Sequence, residues 1–107
     1  MRKSHAFIIC LYLFLSIGVS AFYDREKWLS KTFNLSAAYA KLGSYQEAWE
    51  SFKKAIRIKP AFAEAHYNLG LTYLQLGDKC CALEEYKILK QLDRNKADEL
   101  FNQIYKK

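Results

Sequence analysis

A displacement of 34 positions carries the middle of this chain onto itself. Asn34 falls under Asn68, Leu35 under Leu69, Tyr39 under Tyr73, Leu42 under Leu76 and Gly43 under Gly77. The register continues through Ala48, Glu50, Phe52 and Lys53, which fall under Ala82, Glu84, Tyr86 and Lys87. A fixed period of that length marks stacked helical units, because one unit alone cannot bury its apolar face and its neighbours close the core. The breakers agree: one Pro and four Gly in 107 residues leave long uninterrupted stretches suited to helices and too few turns for an all-β fold. Apolar and charged fractions of 51% and 26% are those of a folded chain, with room for one small domain.

Within the first unit, Leu35, Ala38, Tyr39 and Leu42 recur at helical spacing and predict one buried face. Gly43-Ser44 ends that helix, since glycine enters a left-handed terminal turn cheaply. Tyr45, Ala48, Trp49, Phe52, Ala55 and Ile56 predict the face of a second helix, which stops before Lys59-Pro60. The second unit repeats the plan with Ala65, Leu69, Tyr73 and Leu76, a turn at Gly77-Asp78, then Ala82, Leu83, Tyr86, Leu89 and Leu92. Small residues (Ala48, Ala55, Gly70, Ala82) let helices approach closely enough for Tyr39, Tyr73, Phe52 and Tyr86 to interlock.

These residues resemble the tetratricopeptide repeat family. Each unit offers the family's leucine, small residue and tyrosine in its first helix (Leu35, Ser36, Tyr39; Leu69, Gly70, Tyr73). Each then has the turn glycine (Gly43, Gly77) and, in its second helix, the alanine and aromatic (Ala48, Phe52; Ala82, Tyr86). Unit one adds Ala55 and Pro60, where unit two departs with Leu89 and Arg94. Thr32 and His66 stand where a larger residue such as Trp is usual. The implied fold is all-α: two tandem helix-turn-helix units at 29–62 and 63–96 forming a short solenoid, closed by a C-terminal capping helix at 97–107. In that helix Ala97, Leu100, Phe101 and Ile104 share a face, with Asp98 and Glu99 at its start and Lys106 and Lys107 at its end, as the helix dipole favours.

The resemblance also implies a non-enzymatic protein-binding module whose concave side is built mainly by the first helix of each unit. It assigns that groove to Phe33, Asn34, Ala37, Lys41, Glu64, Tyr67, Asn68, Leu71, Leu74 and Gln75, with Ser30 and Ala40 beside them. Family members that clamp a terminal carboxylate use cations here, and Phe33 and Tyr67 replace one of them. The expected occupant is therefore an apolar peptide or amphipathic helix. The alternative is that the tail helix or a second copy covers the same residues. Two units are fewer than the three or more that such stacks favour, and so small a core supplies only about 3–5 kcal/mol. Both facts raise self-association, as a structural subunit of an envelope complex.

Ahead of the repeats, Met1-Arg2-Lys3-Ser4-His5 is a basic head, Ala6 to Leu15 an unbroken apolar run, and Val19-Ser20-Ala21 a small-residue exit. That is the layout of a cleaved export signal. The apolar span is also at the lower edge for a retained membrane anchor. Under either reading of 1–21, Arg2 and Lys3 stay in the cytoplasm and the repeats emerge on the other side, periplasmic or extracellular. Residues 22–28 form a polar joint, where Asp24 is placed to cap a helix and Trp28 either packs or sits near a membrane interface.

The net charge of +6 is partly terminal, and interspersed charges with core-bound aromatics do not make a nucleic-acid surface. No cofactor, metal or catalytic constellation is expected, because spacing supports no nucleophile–base pair, phosphate loop or carboxylate dyad. Cys80-Cys81 admits three readings: small helix residues, an intermolecular disulfide, or a thiol redox or metal site, for which a lone pair lacks any motif spacing. Cys10 belongs to the export segment. His66 reads as packing, and Glu47, Glu50, Glu84 and Glu85 as solvated partners of neighbouring lysines.

Overall fold

A computed structural model of the chain describes the backbone of residues 2–106 and the side chains of residues 8, 9, 11, 12 and 24–106. Five helices follow one another: α1 (Arg2–Lys41), α2 (Tyr45–Ile58), α3 (Ala63–Gln75), α4 (Lys79–Leu92) and α5 (Arg94–Ile104). Among the described residues there is no strand. The all-α solenoid expected from the period is what forms. Each helix packs on the next, and α3 also touches both α1 and α5. The first helices of successive units therefore line one side, with α5 standing where a third unit would begin.

The two hairpin turns are copies of one another. Gly43 and Gly77 take φ of 78° and 80°, the left-handed region where a β-carbon is strained. Beyond each, the chain bonds back to the helix it leaves: Ser44 N–H donates to Tyr39 O at 2.9 Å, and Asp78 N–H to Tyr73 O at 2.8 Å. These bonds satisfy carbonyls that a helix end otherwise leaves open.

The core has two parts. Ala48, Phe52 and Leu69 form the first, with Phe33, Tyr39, Trp49, Ile56 and Tyr73 packed around them. Ala82, Leu89, Ala97, Leu100 and Ile104 form the second, joined by Tyr67, Leu71, Leu74 and Tyr86. Gly70 is needed for α5: a β-carbon there would lie 2.6 Å from Leu100 Cδ2. Its small size thus admits the capping helix.

Several expectations are corrected. Leu35 is 50% and Leu42 80% exposed, and Ala38 is exposed too, although all three were expected in a buried face. Their counterparts explain it: Leu69 is buried by Ala48 and Phe52 of the preceding helix, and among the described residues no helix precedes α1. Trp28 is 67% exposed as well, so it does not pack. Leu76 and Leu92, at the ends of their helical faces, are exposed as well, and Phe101, beside Tyr86 and Tyr105, is 41% exposed.

The segment 22–28 is helical within α1, so Asp24 caps nothing. The last helix starts at Arg94, three residues earlier than expected, because the Asp93 side chain accepts from the N–H groups of Asn95 and Lys96 at 3.1 and 3.3 Å. Its first turn then holds no acid and its last turn no base, against the dipole pattern. The expected export signal or anchor at 1–21 falls mostly on side chains outside the described residues. Among the described residues no helix is long and apolar enough to cross a membrane.

Candidate functional site

Because α1, α3 and α5 share one side of the stack, the groove residues are set by register. In α1, Phe33 and Ala37 are half-buried, while Asn34 and Lys41 are exposed. In α3, Tyr67, Asn68, Leu71 and Leu74 are half-buried, with Glu64 and Gln75 exposed at its two ends. The structure brings Phe33 against Phe52, edge-on with ring centres 5.9 Å apart. Tyr67, Leu71 and Leu74 instead pack on the cluster that α4 and α5 share. The tail helix thus covers part of unit two's share, as the alternative reading supposed, and leaves unit one's share to other neighbours.

One of those neighbours is Phe62, which was not singled out from the sequence. It lies in the turn between units, its ring centre 4.9 Å from that of Phe33. The repeat register holds the signal: 34 residues on, Lys96 sits over the Tyr67 ring, 5.8 Å from its centre. The same position therefore covers the same groove aromatic in both units, once with a ring and once with a cation. Burial pushes the Tyr67 hydroxyl above its usual pKa, and the Glu99 carboxylate on α5 pushes the same way. That phenol is a neutral donor at any ordinary pH.

Away from the groove, a cavity of about 410 Å³ opens between the α2 and α4 starts, lined by Gln46, Trp49, Tyr73, Leu76, Asp78 and Cys81. Cys81 is held here by Asp78, whose carboxylate accepts the Cys81 N–H at 3.0 Å and caps α4. The thiol's own bond to Asp78 pushes its pKa up to about 11, which leaves Cys81 a poor nucleophile. Those two bonds, the thiol's foremost, hold the Asp78 carboxyl below the usual range. Cys80 next to it is exposed, and both thiols are free. Among the described residues no three His, Cys, Asp or Glu side chains stand close enough together to hold a metal ion.

His66 and Glu85 depart furthest from the sequence reading. Glu85 was expected among solvated surface carboxylates and is only 9% exposed; His66 is 4% exposed. His66 Nδ1 meets Glu85 Oε2 at 2.6 Å and Nε2 meets the Pro60 carbonyl at 2.8 Å. The position that normally carries a large packing residue holds a polar junction between α3, α4 and the inter-unit turn. Lys53, one of the lysines beside Glu50, lies over the Trp49 ring, 4.4 Å from its centre.

Two comparisons with known families bear on this arrangement. A family model described as TPR repeat matches residues 37–77, and one described as Tetratricopeptide repeat matches residues 63–96. Together they span residues 37–96, more than half of the chain. No curated protein matches it.

Proposed function

We propose a function that starts from one identification: the chain belongs to the tetratricopeptide repeat family, and it serves as a protein–protein interaction scaffold. It works without catalysis, holding an apolar peptide or one face of an amphipathic helix along its concave side. The observation that carries this reading is the half-open strip of Phe33, Ala37, Tyr67, Leu71 and Leu74, bounded by Lys41, Glu64 and Gln75. Such a strip supplies spaced apolar anchors with polar ends, which is what a helix in a groove requires.

A labelled amphipathic helical peptide titrated against the chain tests it by fluorescence anisotropy. Ala37→Glu adds a charge to the strip while leaving the core side chains in place. It should weaken binding by about ten-fold or more, equivalent to about 1.4 kcal/mol. Unchanged affinity in that variant would contradict the reading.

The place of action we propose is outside the cytoplasm or at the membrane, supported by the basic head and apolar run of residues 1–21. The mass of the mature chain separates its two forms: a start at Phe22 for a cleaved signal, at Met1 for a retained anchor. Recovery of the chain from the cytosolic fraction would contradict both.

A second reading, self-association, is favoured by one feature of α1. Trp28, Leu35 and Leu42 recur every seven residues on a face left 67%, 50% and 80% exposed, while α5 closes the other end of the stack. A sevenfold apolar repeat is a seam for another helix. Pairing two copies antiparallel through α1 covers the seam and separates Lys31 from its equivalent, whereas parallel pairing brings the two together. Sedimentation of the wild type and Leu35→Glu decides it: a dimer that the variant dissociates supports this reading, and a monomeric wild type removes it.

A further inference from the structure

We propose that the proton shared by His66 and Glu85 acts as a pH-sensitive latch between the inter-unit turn and α4, fixing how the two units meet at the concave side. The proposal stands whether or not that side holds a peptide. A neutral imidazole carries one donor and one acceptor, yet both ring nitrogens of His66 face acceptors, a carboxylate and a carbonyl. The junction is complete only when a proton lies between Nδ1 and Oε2 while Nε2–H donates to Pro60. In that state the pair has no net charge, which suits its burial. Without that proton, a lone pair and a carboxylate stand 2.6 Å apart out of water. The neutral ring relieves that repulsion by moving its remaining proton to Nδ1 or by turning, and either change ends the Nε2–H bond to Pro60.

The turn at Lys59 to Phe62 carries both parts of the consequence. Pro60 supplies the carbonyl, and two residues on, Phe62 packs against Phe33 in the groove. Among the described residues of the helices packed on α3, Glu85 of α4 is the charged group that bears on the His66 ring. On α3 itself, the Tyr73 hydroxyl also feels Glu85, and is pushed above its usual pKa first by burial. Burial alone lowers the His66 pKa. The Glu85 bond, the Pro60 bond and the Glu85 charge together outweigh it and place the pKa above the ordinary 6.5.

A histidine whose folded pKa is raised contributes stability that is fully present below 6.5 and is lost as pH rises through the folded value. Over that interval the folding equilibrium constant falls by up to about ten-fold per pH unit, and then levels off.

The chain has two histidines, His5 and His66, so the imidazole resonances are readable in the full-length protein. An NMR titration should give His66 a midpoint above 6.5, with the Phe33 and Phe62 ring resonances following the same curve. A midpoint at or below 6.5, or a Phe62 ring indifferent to the titration, overturns the latch. Glu85→Gln supplies an amide donor to a neutral ring and so keeps both bonds without the titrating proton. Its stability should be flat across that interval and its His66 midpoint should drop below 6.5. A pH dependence equal to the wild type overturns the proposal, and if this variant does not fold, the wild-type titration decides alone.

Discussion

At the scale of single residues, the positions that matter most are those whose neighbours lie far along the chain. Gly70 illustrates it: the helix pattern placed it in the core, but its need to be small comes from Leu100, thirty residues on. Gly70→Ala should cost about 1–3 kcal/mol through overpacking, offset in part by up to about 1 kcal/mol of helix propensity. Leu100→Ala alone should cost about 2–5 kcal/mol. The double variant should be less unstable than the two losses combined, since the first substitution fills space the second opens. Urea unfolding of the three variants measures this. Additive losses would mean that Gly70 and Leu100 do not share space. Cys81 gives a chemical prediction of the same scale. At pH 8, alkylation followed by mass spectrometry should modify Cys80 well before Cys81, and Asp78→Ala should bring the two rates together by releasing the thiol that Asp78 holds. Neither position announces this in the sequence, where Cys80 and Cys81 are adjacent and alike. The difference arises only once a helix start aims one of them at its cap.

At the scale of elements, sequence and structure agree wherever the signal repeats and part where it does not. Helix types, the two glycine turns and the stop before Lys59-Pro60 were all legible, because each is fixed by local chemistry present in the repeated unit. Leu35 and Leu42 were misread because a pattern reports that a face is apolar, not that a neighbour exists to cover it. Glu85 was misread because its partner, His66, lies on another helix; no spacing along α4 reveals it. The candidate groove residues on the first helices were assigned by register, whereas Phe62, which packs on Phe33, was not singled out because it belongs to a turn. The start of α5 was misplaced because Asp93 serves both as the residue closing α4 and as the cap opening α5. Asp93→Ala should therefore destabilise the chain by about 1 kcal/mol, with the loss of amide protection concentrated at Asn95 and Lys96. Hydrogen exchange checks this, and uniform loss over all helices would argue against a local cap.

At the scale of the whole molecule, the stack is asymmetric: α5 closes one end, and the other end leaves Trp28, Leu35 and Leu42 open. Removing α5 should uncover Leu89, Gly70 and Leu71 together and lower the melting temperature far more than any single substitution, because the second core cluster loses Ala97, Leu100 and Ile104 at once. A truncated chain that melts like the full one would mean the capping helix contributes nothing to the stack. The central claim is that the side shared by α1 and α3 is where a protein partner lies. Backbone amide shifts recorded while an amphipathic apolar peptide is added to the labelled chain test it most directly. The account predicts shifts clustered between Phe33 and Lys41 and between Glu64 and Gln75, with α4 quiet. Shifts confined to Trp28, Leu35 and Leu42, or no shifts at saturating peptide, would contradict it.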